Sequence, residues 1–496
     1  MITQSPVLVV VIPLIAAFLT LLLGWWKKGL CYPIVLLALA LSFLSAFQTL
    51  HTVITSGPIS YHLGGWPPPW GIEYAVDHLN AFVLVIVSFV SLVVAVFSKR
   101  SVEQELPDKI VYFYCILLLQ VTGLLGIVVT GDMFNLYVFL EIASLAGYAL
   151  IAIGEDGAPF ASFNYLIFGT IGACFYLLGV GYLYISTGSL NMADLFQMLP
   201  DLYQSKVVLV AFAFFMVGVS LKMALFPLHV WLPDAYTYAP STVSALLAPL
   251  MTKVGAYVMI RVLFTVFKPH FSIELIPATA ILGWMAAGAI LFGAMMALAQ
   301  IDLKRMLAYI LVSEVGYIAL GVGLANRNGL TGAILHILND SFMMLTLFLV
   351  VGAIMYRYGK REIPQLRYLH RKMPFTMAAF VIAALSVIGI PPTCGFFSKW
   401  YLILGAIDAN QWVFVAVLLI SSLLNVVLFF RVIEHAYLEP EEEHAGGGSK
   451  LAIAIEEAPF SMLMPILVAA AGIMVFGVLS GKIISTVIQF AVPGYF

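Results

Sequence analysis

Charge is what this chain has least of. Of its 496 residues only 10% are Asp, Glu, Lys or Arg, while 62% are hydrophobic; a soluble domain carries about 25% charged residues. The deficit excludes a water-exposed globular surface. A net charge of −2 offers no basic footprint for nucleic acid. Cysteine is scarce as well. Cys31, Cys115, Cys174 and Cys394 stand singly in or beside apolar runs, never as CxxC, so an iron–sulfur or zinc site has no support, and no metal or cofactor is expected. No polar stretch is long enough to fold as a soluble domain with redox or nucleotide chemistry of its own.

What is abundant is apolar runs. Mean hydropathy is +1.05, and runs of about 20 residues, the length of a membrane-crossing helix, recur to the C-terminus. They predict an all-α polytopic membrane protein of about fourteen transmembrane helices: 6–26, 31–54, 76–98, 109–130, 132–153, 160–187, 206–238, 241–267, 276–299, 303–325, 329–356, 374–406, 411–437 and 458–490. No basic segment precedes the first run, which continues into Trp25, Trp26, Lys27 and Lys28. It reads as a span, not a cleaved signal. Helices seven and twelve are too long for one straight crossing and contain Pro227 and Pro391-Pro392. Proline cannot continue the helix ladder, so both are expected to be broken.

Basic residues set the orientation. With the N-terminus outside, fifteen of the 23 Lys and Arg face the cytoplasm, five face outward, and three lysines lie within spans. Both termini are therefore expected on the extracytoplasmic side of the cell membrane. The long outer loop near 55–75 carries Trp66-Pro67-Pro68-Pro69-Trp70 and reads as a rigid interfacial cover, while Glu439–Gly448, acidic then glycine-rich, reads as a solvated cytoplasmic linker.

The informative charges are those inside the runs. Lys222, Lys253 and Lys399 lie within apolar spans, as does Glu141. An ionisable group at bilayer depth costs roughly 2.5–3.5 kcal/mol even on generous insertion scales, and usually faces a partner or a water-filled path. Lys222 sits just before Pro227, where a broken helix opens backbone groups to a cavity. Glu141, flanked by the small residues Ala143, Ser144, Ala146 and Gly147, is the acid expected to pair with it. Lys253 follows Pro249 one helix further on, and Lys399 lies eight residues beyond Pro391, toward the outer half, as the end of a relay. His336 and Asp340, four apart, share a helix face. Histidine can pass protons at neutral pH. Glu314 is a further mid-span acid, and Asp234, after the break in helix seven, is a candidate for the cytoplasmic mouth. The order of a carboxylate helix, then two helices later a broken lysine helix, recurs: Glu141 before Lys222, Glu314 before Lys399. Five helices per unit would invert the second copy. The expected division is an N-terminal three-helix segment at 1–108, repeats at 109–267 and 268–438, and a linker with helix fourteen at 439–496.

The stretches TGDMFNLYVFLEIASLAGYALI, LKMALFPLHVWLPDAY, APSTVSALLAPLMTKVGAYVMIR and DLKRMLAYILVSEVGYI resemble the antiporter-like, proton-translocating subunits of respiratory complex I. They are most similar to the D-type chain of Mrp-type cation/proton antiporters and its counterparts in membrane-bound hydrogenases. The resemblance runs over nearly the whole chain. It implies fourteen helices with two inverted five-helix repeats, one proton path per subunit, and other membrane subunits as partners. Glu141 matches the family's helix-five glutamate, Lys222 its broken-helix lysine, Lys253 its central lysine, His336 its helix-eleven histidine, and Lys399 its helix-twelve charge. Met344 stands where members often carry lysine, and Glu314 where many carry glutamine. The chain ends soon after span fourteen, which favours the D type or a middle subunit. The function implied is the proton-translocating subunit of a multisubunit Na⁺/H⁺ antiporter; the alternative is a proton-pumping subunit of a complex I-like NADH-quinone oxidoreductase or a membrane-bound hydrogenase.

Overall fold

Aspartates set where several helices begin. Asp77, Asp132 and Asp302 are N-caps whose carboxylates accept from backbone N–H groups of the first turn, satisfying donors that a helix start leaves open. Asp77 and Asn80 form a reciprocal capping box. The structure, a computed structural model, describes residues 4–438 and 455–496. In chain order its helices are α1 (Ser5–Trp26), α2 (Cys31–Ser56), α3 (His78–Glu105), α4 (Ile110–Val129), α5 (Met133–Ala152), α6 (Ala158–Thr187), α7 (Met192–Met198), α8 (Lys206–Lys222), α9 (Trp231–Tyr238) and α10 (Ser241–Arg261). Then come α11 (Ala278–Leu298), α12 (Leu303–Gly323), α13 (Arg327–Tyr358), α14 (Leu369–Lys372), α15 (Pro374–Ile388), α16 (Cys394–Asp408), α17 (Trp412–Tyr437), α18 (Phe460–Ile483) and α19 (Gln489–Ala491).

Among the described residues, twelve helical segments are long and apolar enough to cross a membrane. This is a polytopic helical membrane protein. The two long runs around Pro227 and Pro391-Pro392 are each two shorter helices, α8 with α9 and α15 with α16. The loop near 55–75 holds a small antiparallel hairpin, β1 (Ile59–His62) with β2 (Glu73–Val76), pairing Ile59 with Val76 and His62 with Glu73. Alternation over four residues is too short to stand out in an apolar sequence, so only the loop is legible there. Trp66 and Trp70 are exposed at its tip. The expected linker from Glu439 to Gly448 lies outside the described residues.

Helices α10 and α13 are enclosed along their apolar lengths, α12 nearly so, while α1 and α2 show most of their surface. The buried ionisable residues sit on or against this enclosed core. One local device appears twice. Met133 N–H donates to Leu190 O while Met192 N–H donates to Gly131 O; likewise Leu303 N–H donates to Arg361 O while Ile363 N–H donates to Ile301 O. Each two-bond bridge holds the start of a capped helix, α5 or α12, to a later segment.

Candidate functional site

The first cluster forms where α8 ends. Met223 to Val230, with Pro227 inside, leave the helical path; Ala224 takes a left-handed φ of 56°. Leu225 N–H reaches Ser220 O (2.9 Å) and the Trp231 indole N–H reaches Leu221 O (3.1 Å), so carbonyls freed by the break regain partners. Lys222, the last residue of α8, lies 3.6 Å from Glu141 Oε1 and donates to Ser144 Oγ at 2.7 Å. The lysine side chain is 4% exposed and the glutamate 26%. Glu141 shares its face of α5 with exposed Phe134, Val138 and Leu145, so the pair reaches the rim of the chain. Gly255 lets α10 approach the break: a Cβ there would meet the Met223 Cβ at 2.8 Å.

The second cluster is central. Lys253 Nζ lies 2.5 Å from Asp340 Oδ2 and donates to Ala248 O at 2.9 Å. The side chains are 2% and 0% exposed. The pair joins α10 to α13, the two most enclosed helices. Ser341 adds a second tie by donating to Pro249 O at 3.0 Å.

The third cluster lies one turn away on α13. His336 Nε2 is 3.0 Å from Glu314 Oε2 and its Nδ1 is 2.9 Å from Ser398 Oγ. Asn339 donates to Ser398 Oγ (3.1 Å) and to Cys394 O (2.7 Å). Lys399 follows Ser398 directly. Its amine donates to Val387 O at 2.6 Å, at the broken end of α15, and lies 4.5 Å from the centre of the Tyr317 ring. Gly389, at a φ of 95°, turns the chain out of α15 there. The Tyr317 hydroxyl donates to Ser421 at 2.7 Å.

Seven of the eight sequence candidates thus fall into three contacting groups: Glu141 with Lys222, Lys253 with Asp340, and Glu314 with His336 beside Lys399. Asp234 stands apart. It pairs with Arg305 at 3.0 Å, both partly exposed. Ser144, Ser398, Asn339 and Tyr317 do not stand out in the sequence. Ser144 is within reach of helical spacing, three residues after Glu141; the others depend on which helices meet. Two further buried cations, both inside predicted spans, do not stand out in the sequence. Lys304 donates to Ala239 O, and Arg261 pairs bidentately with Asp77 at 2.7 and 2.6 Å. Lone pairs and donors converging on buried charges in this way suit proton transfer between neighbouring groups.

Known proteins resemble the chain over most of its length. The family model for the transmembrane region of NADH:quinone oxidoreductase and Mrp antiporters matches residues 130–425. The chain is 48% identical over 502 residues to the N-type chain of the NADH-quinone oxidoreductase of Desulforudis audaxviator, covering 99% of each. It is 33% identical over 388 residues to the D-type chain of the Na(+)/H(+) antiporter of Alkalihalophilus pseudofirmus, covering 78% of this chain and 77% of that one. A chain of the membrane-bound sulfane sulfur reductase, an archaeal respiratory membrane complex, superposes with a TM-score of 0.90 at 31% identity, covering 98% of this chain and 96% of the other. The matched region takes in every one of the three clusters, and the chain belongs to the NADH:quinone oxidoreductase/Mrp antiporter transmembrane family.

Proposed function

We propose that this chain is the proton-translocating, antiporter-like membrane subunit of a multisubunit complex. The observation that carries this reading is the row of ionisable and polar groups from Glu141 and Lys222 at the rim through Lys253 and Asp340 to Glu314, His336, Ser398 and Lys399, on or against the enclosed helices. In this reading the broken pairs α8–α9 and α15–α16 complete fourteen crossings. Residues 109–267 and 268–438 form two inverted repeats, with 1–108 and 439–496 flanking them. The twin bridges at the starts of α5 and α12 and the twin helix breaks support that division. The positive-inside bias supports both termini on the extracytoplasmic side of the cell membrane.

The step that starts transfer is separation of Lys222 from Glu141. An opposite charge at about 4 Å is worth about 4 kcal/mol at an effective dielectric of ~20, or nearly three pKa units at about 1.36 kcal/mol each. Opening one such pair is enough to make a lysine release its proton. That proton passes to the Lys253 and Asp340 pair, then by His336 to Lys399. Asp234, at the surface with Arg305, serves the cytoplasmic mouth.

Two parent complexes follow from the relatives. The D-type antiporter relative supports a monovalent cation (Na⁺)/H⁺ antiporter. The full-length relative at 48% identity supports a proton-pumping oxidoreductase. Mass spectrometry of the intact complex decides between them: co-purifying flavin, iron–sulfur or nickel subunits select the second, small hydrophobic subunits alone the first. Proton uptake by vesicles carrying the complex tests the path itself. Uptake unchanged by both Glu141→Ala and Lys222→Ala would reject it.

A further inference from the structure

We propose that the hairpin end of α10 holds a second approach to the path: a cation-collecting vestibule that the Arg261–Asp77 ion pair closes off from Lys253. The inference rests on the path and orientation given above, and adds an opening to the outer face within the first repeat.

A cavity of about 580 Å³ lies between the hairpin, α10 and the C-terminal residues. Its charged lining residues are Glu73, Asp77 and Arg261. Glu73 is tied to Asn191 at 2.7 Å. The Asp77 side chain is 41% exposed, whereas that of Arg261 is 9% exposed. The acids therefore face the space and the guanidinium plugs its floor.

Beneath the plug, a polar line runs along one face of α10. Lys253, Tyr257 and Arg261 are spaced four apart, so they stack on that face; roughly 12 Å of helix separates the two cations. The Tyr257 hydroxyl accepts from Arg261 Nε at 3.0 Å and donates to Val128 O at 3.0 Å. Tyr257 also borders the cavity. The line is thus hydrogen-bonded from the vestibule as far as Tyr257, one helical turn from Lys253, and its outer end is a permanently charged group. A fixed arginine in a narrow polar path repels protons and other cations. Closed, the pair prevents outer protons from reaching Lys253. Swung off the floor toward Glu73, Arg261 would leave the way open for a hydrated monovalent cation or a proton.

The test uses the intact complex in vesicles, with an imposed proton gradient (acid on the hairpin side) and no driving reaction. Arg261→Gln is expected to raise passive proton leak several-fold, and adding Lys253→Met to that variant should abolish the increase. An assembled Arg261→Gln complex that is as tight as wild type overturns the proposal. So does a leak that survives Lys253→Met. Should Arg261→Gln fail to assemble, a Thr265→Cys complex with Cys174→Ala reports on the vestibule alone: labelling by a membrane-impermeant maleimide from the hairpin side is expected, and protection from it overturns the proposal. Failure here is separable from failure of the path. The path falls if driven uptake survives Lys253→Met, whatever the leak shows.

Discussion

Two lysine–carboxylate pairs in one bundle are built differently. Lys253 and Asp340 are 2.5 Å apart, with both side chains buried, between the two most enclosed helices. Lys222 and Glu141 are 3.6 Å apart, at a helix break, with a quarter of the glutamate exposed on a face of apolar side chains. The inner pair is a closed unit in which each charge depends on the other. The outer pair is loose, shares its lysine with Ser144, and presents its acid where a neighbouring subunit can touch it. In the proposed path the second kind of site suits the switch, and the first a store for the proton.

The largest effect should come from breaking the inner pair. Removing one partner of a buried ion pair costs about 3–5 kcal/mol because the other charge is left unpaired. Lys253→Met is therefore expected to lower the thermal stability of the purified complex and to abolish driven proton uptake. The double variant Lys253→Met with Asp340→Leu should regain most of the stability and none of the uptake. Recovery of transport in the double variant would make the inner pair structural. At the rim, Lys222→Met should abolish uptake too, but with a smaller loss of stability, since the Glu141 left behind is a quarter exposed rather than sealed in the core. Equal destabilisation by the two lysine variants would erase the distinction between the pairs. His336→Gln keeps a hydrogen-bonding side chain next to Ser398 but cannot be protonated. It should slow uptake while leaving the stability of both pairs unchanged.

How much of this is legible in the sequence differs between the pairs as well. Lys222 and Glu141 can be matched from the sequence because each is the one charge in the middle of its apolar run and Lys222 lies five residues before Pro227. Asp340 shows there only as the companion of His336. That it turns instead to Lys253 depends on how α13 rotates against α10, which side-chain periodicity does not fix when a helix is buried on all sides. Arg261 is hidden for a related reason. It lies near the outer end of the predicted span 241–267 and reads as an end-of-span cation, although its spacing of four and eight from Tyr257 and Lys253 marks one helix face. The helix breaks are readable from proline, whereas the hairpin is too short to signal itself.

The smallest predicted effect separates the pairs most finely. Ser144 and Ser341 each make a hydrogen bond beside a lysine helix. Ser144 receives the Lys222 amine itself, while Ser341 bonds only the carbonyls of Pro249 and Ile337. Ser144→Ala removes an acceptor from a charged amine that keeps Glu141 as its other partner. The amine is then left with Glu141 alone, so the rate of driven uptake should change, with little change in thermal stability. Ser341→Ala removes a neutral bond of about 1 kcal/mol from the frame around an ion pair that does not depend on it. It should lower stability slightly and leave uptake alone. The ratio of the two uptake rates is the measurement. A ratio near unity would mean that Ser144 only packs α5, and that the rim pair is governed by Glu141 and its neighbour alone.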